Sequence, residues 1–209
     1  MRVPVKWLSE YVADLPDAAE LATRLTMAGL EVEAVESPDQ RLIDGLVVAR
    51  ILERKPHPNA DRLSICEVDD GSECRQIVCG ATNMGASDLV VLARPGTVLP
   101  GGLKIKKSKI RGEASHGMLC AAAELGLHSG DEGILIVAAD EAKPGDAAAE
   151  LLGLDSCVLD ISVTPNRGDC LSIRGLARES AAVCDLSLSE DFHRHASPRA
   201  RWGARRATR

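Results

Sequence analysis

Apolar positions along this chain change their period, and the changes mark its elements. Residues 4–13 open with Pro4 and set Val5, Trp7, Leu8 and Tyr11 at helical spacing, stopping before Pro16, which predicts a short first helix. Asp17 with Glu20 predicts a capping box for a second helix, with Leu21, Leu25 and Met27 as its apolar positions and Gly29 as a left-handed stop. EVEAVES at 31–37 then alternates as a strand does, and the polar stretch 38–44 after it reads as a domain boundary.

From 45 to 139 the pattern becomes one of short strands: GLVVARILE, LSICEVD, RQIVCG, LVVLA and GILIVAA. Turn signals separate them, among them Asp70-Gly71, Pro95-Gly96 and Gly101-Gly102. About five strands and one short helix near 119–126 predict a closed or nearly closed Greek-key barrel of the oligonucleotide-binding (OB) kind. Pro144-Gly145 introduces a helix at 147–153, a strand at 156–163 and a long helix over about 169–185. Asp169 fits the N-cap of that last helix, and Leu171, Ile173, Leu176, Ala177 and Val183 form its apolar stripe.

At 209 residues the chain has room for one large or two small domains, each with a core. No apolar run approaches the roughly 20 residues of a membrane span, and MRVPVKWLSEYV lacks the features of a secretory signal, so a soluble cytoplasmic protein is expected. Seven scattered cysteines, an odd number set mostly among apolar residues, read as reduced, buried thiols. A formal net charge of −6 argues against coating nucleic acid through net charge, so any RNA contact must be local. The aromatic set is Trp7, Tyr11, Phe192 and Trp202; none lies in the barrel candidate, which removes base stacking as a device there.

Local charge is available in the run Lys104, Lys106, Lys107, Lys109 and Arg111, five cations without an acid. Such a run attracts a phosphate backbone, and lysines on an edge strand also block edge-to-edge pairing; the two roles are compatible. Strict alternation cannot put all five on one face, so a bulge or a strongly twisted edge is expected. Pro56 and Pro58 bracket His57 and force a rigid extended turn, from which His57 and Asn59 present polar edges; alternatively, Asn59 and Asp61 bond their own turn backbone. No second histidine or cysteine pair stands at ligand spacing from His57, so a metal site is not expected.

In GEASHGML the glycine-flanked Ser115 and His116 can approach sugar or phosphate, and Met118 can pack on a base face. A catalytic Ser115-His116 pair is disfavoured because neighbours on an extended chain point apart, and Cys120 lies in what reads as a buried helix start. Arg167 and Arg174 can reach RNA or a partner, but solvated arginines are the simpler reading. No phosphate-binding loop is visible, and no catalytic residue is assigned.

Three segments, KPHPNADRLSICEVD at 55–69, VCGATNM at 78–84 and KIKKSKIRGEASHGMLCAAAELGL at 104–127, together resemble the tRNA-binding domain of the phenylalanyl-tRNA synthetase beta chain, the methionyl-tRNA synthetase appendage and free-standing tRNA-binding proteins. VPVKWL at 3–8, LTMAGLEV at 25–32 and TPNRGDCLS at 164–172 extend the resemblance to the bacterial beta chain over nearly 190 residues. It implies an α+β fold in which a five-stranded OB barrel, residues 40–148, is inserted into a small mainly helical domain formed by 1–39 and 149–186. It further implies tRNA contact by His57, Asn59, Arg62, Lys104, Lys106, Lys107, Lys109, Arg111, Ser115, His116 and Met118. The family enzyme joins phenylalanine to its tRNA with ATP and magnesium on an assembly with an alpha chain; no cofactor and no metal is expected in this chain itself. A free-standing tRNA-binding protein acting as a homodimer is the second reading, and a small hydrolase using Cys120 or Ser115 the third.

After about Leu186 the resemblance stops. SPRARWGARRATR carries Arg199, Arg201, Arg205, Arg206 and Arg209 without apolar periodicity, so residues 187–209 are expected to be disordered. A shifted reading frame or truncated gene accounts for such a tail better than a basic nucleic-acid arm.

Overall fold

The computed structural model describes residues 1–127 and 133–193. It contains, in chain order, β1 (Arg2–Pro4), α1 (Val5–Ser9), α2 (Ala18–Met27), β2 (Glu31–Glu36), α3 (Gln40–Gly45), β3 (Leu46–Pro56), β4 (Ser64–Asp69), β5 (Cys74–Cys79) and β6 (Leu89–Ala93). There follow β7 (Ser108–Ile110), β8 (Glu113–Ser115), β9 (Met118–Leu119), β10 (Ile136–Val137), α4 (Ala148–Leu151), β11 (Val158–Ser162), α5 (Ile173–Cys184) and α6 (Glu190–His193). The architecture is mixed α+β with antiparallel sheets, in two compact units. One is contiguous, Asp39–Asp155; the other joins Met1–Pro38 to the described part of Ser156–Arg209.

The discontinuous unit is built on a three-stranded sheet of order β1-β11-β2, so it is less helical than its sequence pattern implies. Val3 stands opposite Leu159 and Val32 opposite Ile161, and the inward residues pack with Leu8, Leu21, Leu25 and Leu176. The first helix is confined to Val5–Ser9: Pro4 is claimed by β11, and beyond the helix Val12 bridges to Leu188 and the Tyr11 carbonyl accepts from the Ser189 N–H, partners too distant in sequence for local periodicity to show. Asp17 caps α2 as expected, accepting from the Ala19 and Glu20 N–H groups at 3.0 and 2.9 Å. Glu20, however, pairs forward with Arg24 one turn along and does not complete the capping box. Met27 is 84% exposed and Leu30 takes the buried position in its place.

At α5 the N-cap is Ser172, whose hydroxyl accepts from the Gly175 N–H at 3.0 Å, and not Asp169. Residues 165–170 form a 3-10 turn that lies so close to the helix start that a Cβ on Gly175 would sit 1.8 Å from the Asp169 carbonyl oxygen. Leu171, outside the helix, is exposed. Leu188 bridges to Val12, and Phe192 is buried with Tyr11 edge-on at 6.0 Å, so residues 188–192 join this core and correct the expectation that the tail begins at 187. The arginine-rich stretch from 194 onward lies outside the described residues.

In the contiguous unit, β3, β4 and β5 form a meander and β6 returns beside β3, giving the sheet order β10-β6-β3-β4-β5 with β9 on the far part of β6. A fourth strand lying beside the first of three is the Greek-key order. β3 serves two partners: residues 46–50 pair with β6 and 50–56 with β4, with an irregularity at Leu52 where the strand turns. Alternate residues of β3 and β6 enter different cores. Leu46, Val48, Leu89 and Val91 pack with Leu42 of α3 and with Ala148 and Ala149 of α4, whereas Val47, Ala49, Val90 and Leu92 pack with Cys66, Val68 and Ile77 of β4 and β5. Burial on both faces explains why LVVA at 46–49 and LVVLA at 89–93 read as continuous apolar runs. The expected helix at 119–126 is instead β9 followed by a 3-10 turn at Ala123–Leu125, and the strand in GILIVAA shrinks to Ile136–Val137.

Candidate nucleic-acid interface

The turn after β3 is pinned to a hairpin more than 50 residues away. β7 and β8 are joined by Arg111 at φ +52° and Gly112 at φ +100°, two positive-φ residues that define the mirror-image turn preferred by tight hairpins. Glycine adopts this conformation freely and arginine does not, so Arg111 needs holding. His57 and Asn59 hold it: the His57 Nε2 lies 3.1 Å from the Ile110 carbonyl oxygen, and the Asn59 Nδ2 donates to the Arg111 carbonyl at 3.3 Å. A carbonyl only accepts, so Nε2 carries the proton; Nδ1 then accepts from the Asn59 N–H at 3.0 Å. His57 is buried, with both ring nitrogens used inside the protein. Asn59 and Arg62, on the same turn, are exposed.

Lys104, Lys106, Lys107, Lys109 and Arg111 are all exposed, and none takes an ion pair with a described residue. The parity conflict in this run is resolved without a bulge. Lys104 bridges to Val98 and Ile105 turns inward, its N–H bonded to the Thr97 carbonyl at 2.9 Å. Residues 105–107 follow no ladder, and regular pairing resumes only at Ser108. An irregular link is free of strand alternation, so five cations within eight residues reach solvent.

Residues 46–147 match the family described as "Putative tRNA binding domain". The chain is 50% identical over 189 residues to the phenylalanine-tRNA ligase beta subunit of Syntrophotalea carbinolica, covering 90% of this chain and 23% of that subunit. It is 52% identical over 184 residues to the corresponding subunit of Methylococcus capsulatus, covering 88% of this chain and 23% of the other. This chain matches the N-terminal region of the beta subunit, and the stretch matched by the family model lies within that similarity. It spans about a quarter of the length of the curated relatives it matches. Among solved structures, the C-terminal domain of Plasmodium vivax p43 aligns at 24% identity with a TM-score of 0.36, over 48% of this chain and 56% of that one.

Within residues 46–147, Ser115 is bonded inside the fold by its side chain, whereas His116 and Met118 are held by their backbones. Ser115 is buried at 1% exposure; its hydroxyl accepts from the Val78 N–H and donates to the Gly117 carbonyl, each at 3.1 Å. The backbone N–H of the half-exposed His116 donates to the Gln76 carbonyl at 2.9 Å. Gly117, at φ +144°, passes so close to β6 that a Cβ would lie 2.7 Å from the Ala93 carbonyl oxygen, and Met118 then pairs with Ala93. The Gln76 side chain, unremarked in sequence, donates to the Ala114 carbonyl at 2.9 Å. Residues 113–119 therefore span from β5 to β6, joined to β5 largely by side-chain bonds, which strand-pattern reading does not register, and to β6 by the short β9 ladder.

No nucleophile emerges from Cys120, whose thiol is pushed up to about 12 by burial, with Glu124 adding in the same direction. A buried ionic knot also escaped the sequence pattern. Asp70, fully buried, accepts from Arg75 Nε at 2.5 Å and Arg94 Nε at 2.9 Å, and its other oxygen caps the turn at Ser72 and Glu73. Burial alone would raise this carboxyl; bonds from Arg94, Ser72 and Arg75 outweigh it and hold it well below the usual range. The Asp70-Gly71 turn signal was visible, but the arginine 24 positions on was not.

In the discontinuous unit, Arg167 and Arg174 are engaged and not simply solvated. Arg167 bridges Asp169 at 3.2 Å and Glu179 at 2.8 Å, while the Arg174 guanidinium lies 4.7 Å from the centre of the Phe192 ring. Asp169, Cys170 and Glu179 form the one group of three close metal-ligand types among the described residues. Arg167 occupies both carboxylates, so the group does not fit a magnesium ion. Among the described residues no helix is long and apolar enough to cross a membrane.

Proposed function

We propose that this chain is the RNA-docking part of a beta subunit of phenylalanine-tRNA ligase, gripping tRNA by its phosphate backbone through Lys104, Lys106, Lys107, Lys109 and Arg111, with Arg62 on the exposed turn after β3 as a further cation. The observation that carries the reading is the set of five exposed, unpaired cations on a domain of the tRNA-binding family. With a screening length of about 8 Å at physiological salt, such a cluster acts locally although the whole chain is acidic. Recognition is of shape and backbone, since no aromatic residue falls within 39–155 to stack on bases. The fold proposed for this unit is an OB-type barrel in which residues 113–119 take the place of a closing strand.

In the whole ligase, aminoacylation with ATP and magnesium belongs to other regions, on assembly with an alpha chain; this chain itself binds neither cofactor and neither activates phenylalanine nor edits. Similarity across the flanking unit as well as the barrel unit favours this reading over a free-standing dimeric tRNA-binding protein.

The test is titration of labelled tRNA across salt concentration, with the parent chain and a variant carrying Lys106→Ala, Lys107→Ala, Lys109→Ala and Arg111→Ala. If these four neutralise four phosphates, log K falls with log salt at a slope of about −3 to −4 and the variant flattens it. Absence of binding near physiological salt, or a variant that behaves as the parent does, overturns the reading.

A further inference from the structure

His57 is strongly marked in the sequence yet poorly placed to touch RNA, being buried at 6% exposure with both ring nitrogens bonded internally. Its partners show what it is for. The Nε2–H reaches the carbonyl of Ile110, the last residue before the hairpin tip, and Asn59 reaches the carbonyl of Arg111, the tip residue itself. Asn59 also backs Gly112, where an added Cβ would lie 3.6 Å from its Nδ2. The tip needs such support, because Arg111 is a non-glycine residue at φ +52° in a hairpin of only three pairs, and a short isolated hairpin is marginal in water.

We propose that His57 and Asn59 are positioning residues for tRNA binding: they lock the Arg111-Gly112 tip so that the Arg111 guanidinium is presented to phosphate as a fixed prong. This rests on the tRNA-binding reading above and assigns two of its sequence-marked residues to a different role. A preorganised cation loses less side-chain and loop freedom on binding, which raises affinity without adding a contact. Because both residues act through Arg111, their contribution disappears when the arginine is gone.

A double-mutant cycle on the whole chain, with labelled tRNA and salt titrations, decides this. Arg111→Ala should weaken binding roughly five- to tenfold near 0.1 M salt and flatten the salt slope by about 0.9, the loss of one phosphate contact. His57→Ala, which removes no positive prong, should reproduce most of both effects, and in the Arg111→Ala background it should change affinity less than about twofold. A merely structural role would lower the folded fraction and leave the slope of the remaining binders unchanged. If His57→Ala does not fold, Asn59→Ala, at an exposed position, carries the same cycle. Additive losses, or a slope unaltered by His57→Ala and Asn59→Ala, overturn the proposal while leaving tRNA binding intact. If the parent chain does not bind tRNA at all, the functional reading falls first and this one with it.

Discussion

The Ser115 hydroxyl accepts the Val78 backbone N–H at 3.1 Å across 37 positions of sequence. A side chain here does what a ladder carbonyl does elsewhere, at the point where residues 113–119 leave one strand and join another. Ser115→Ala would leave that buried N–H without a partner, an omission that costs about 1–3 kcal/mol. Urea unfolding should therefore show a lower midpoint with an unchanged slope. The folded fraction of the variant should bind tRNA as the parent does; a stable variant with weakened binding would return Ser115 to the RNA-contacting set.

The buried Asp70 knot makes a second prediction. Asp70→Asn removes the charge that Arg75 and Arg94 share and turns one of its two acceptor oxygens into a donor, so either the guanidiniums or the Ser72 and Glu73 N–H groups lose their acceptor, and it should destabilise the contiguous unit by about 3 kcal/mol. The pH dependence has a definite sign. Asp70 is held below its ordinary range in the folded state, so its contribution is present above the unfolded carboxylate pKa near 4 and is lost as pH falls below that. Acid titration of stability should be shallower in the variant than in the parent. Equal acid sensitivity would show that the knot contributes nothing.

Asp169 offers a narrower window in the other unit. The Arg167 guanidinium beside it, helped by the Cys170 thiol, lowers its carboxyl to about 2. Stability from this pair is full above the unfolded value near 4 and disappears as pH falls from there to about 2. NMR titration of the Asp169 carboxyl in the parent and in Arg167→Ala should show the midpoint return toward the ordinary value in the variant. An unmoved midpoint would remove Arg167 as the cause.

Much of the fold was legible because its strands are punctuated by turns and patterned, β6 and the start of β3 being buried on both faces and β4 alternating: β3, β4, β5 and β6 begin and end within a few residues of their predicted bounds. What local pattern could not show was anything fixed by a distant partner. β1 forms only because β11 exists, Ser172 caps α5 because a 3-10 turn displaces the start of the helix, and β9 replaces a predicted helix because β6 offers an edge. At the candidate site, the sequence identified the cations but gave the same role to their supports. The His57-Pro58-Asn59 turn and the Ser115-His116-Gly117 segment look like surface chemistry because they are polar and flanked by proline or glycine. The side chains of His57, Asn59 and Ser115 instead bond backbone groups of distant segments.

The discontinuous unit constrains the order in which this molecule can assemble. β2 pairs with β11 across about 120 residues, and closing an unstructured loop of that length costs about 4 kcal/mol of chain entropy before any contact forms. The contiguous unit needs no such closure, and its own core draws its two ends together, since Leu42 near its start packs with Ala148, Ala149 and Leu152 near its finish. A chain emerging from the ribosome can thus complete the contiguous unit while the N-terminal segment still waits for its third strand. The short effective loop that then remains makes the later pairing quick, so the insertion serves as a folding template for the unit it interrupts.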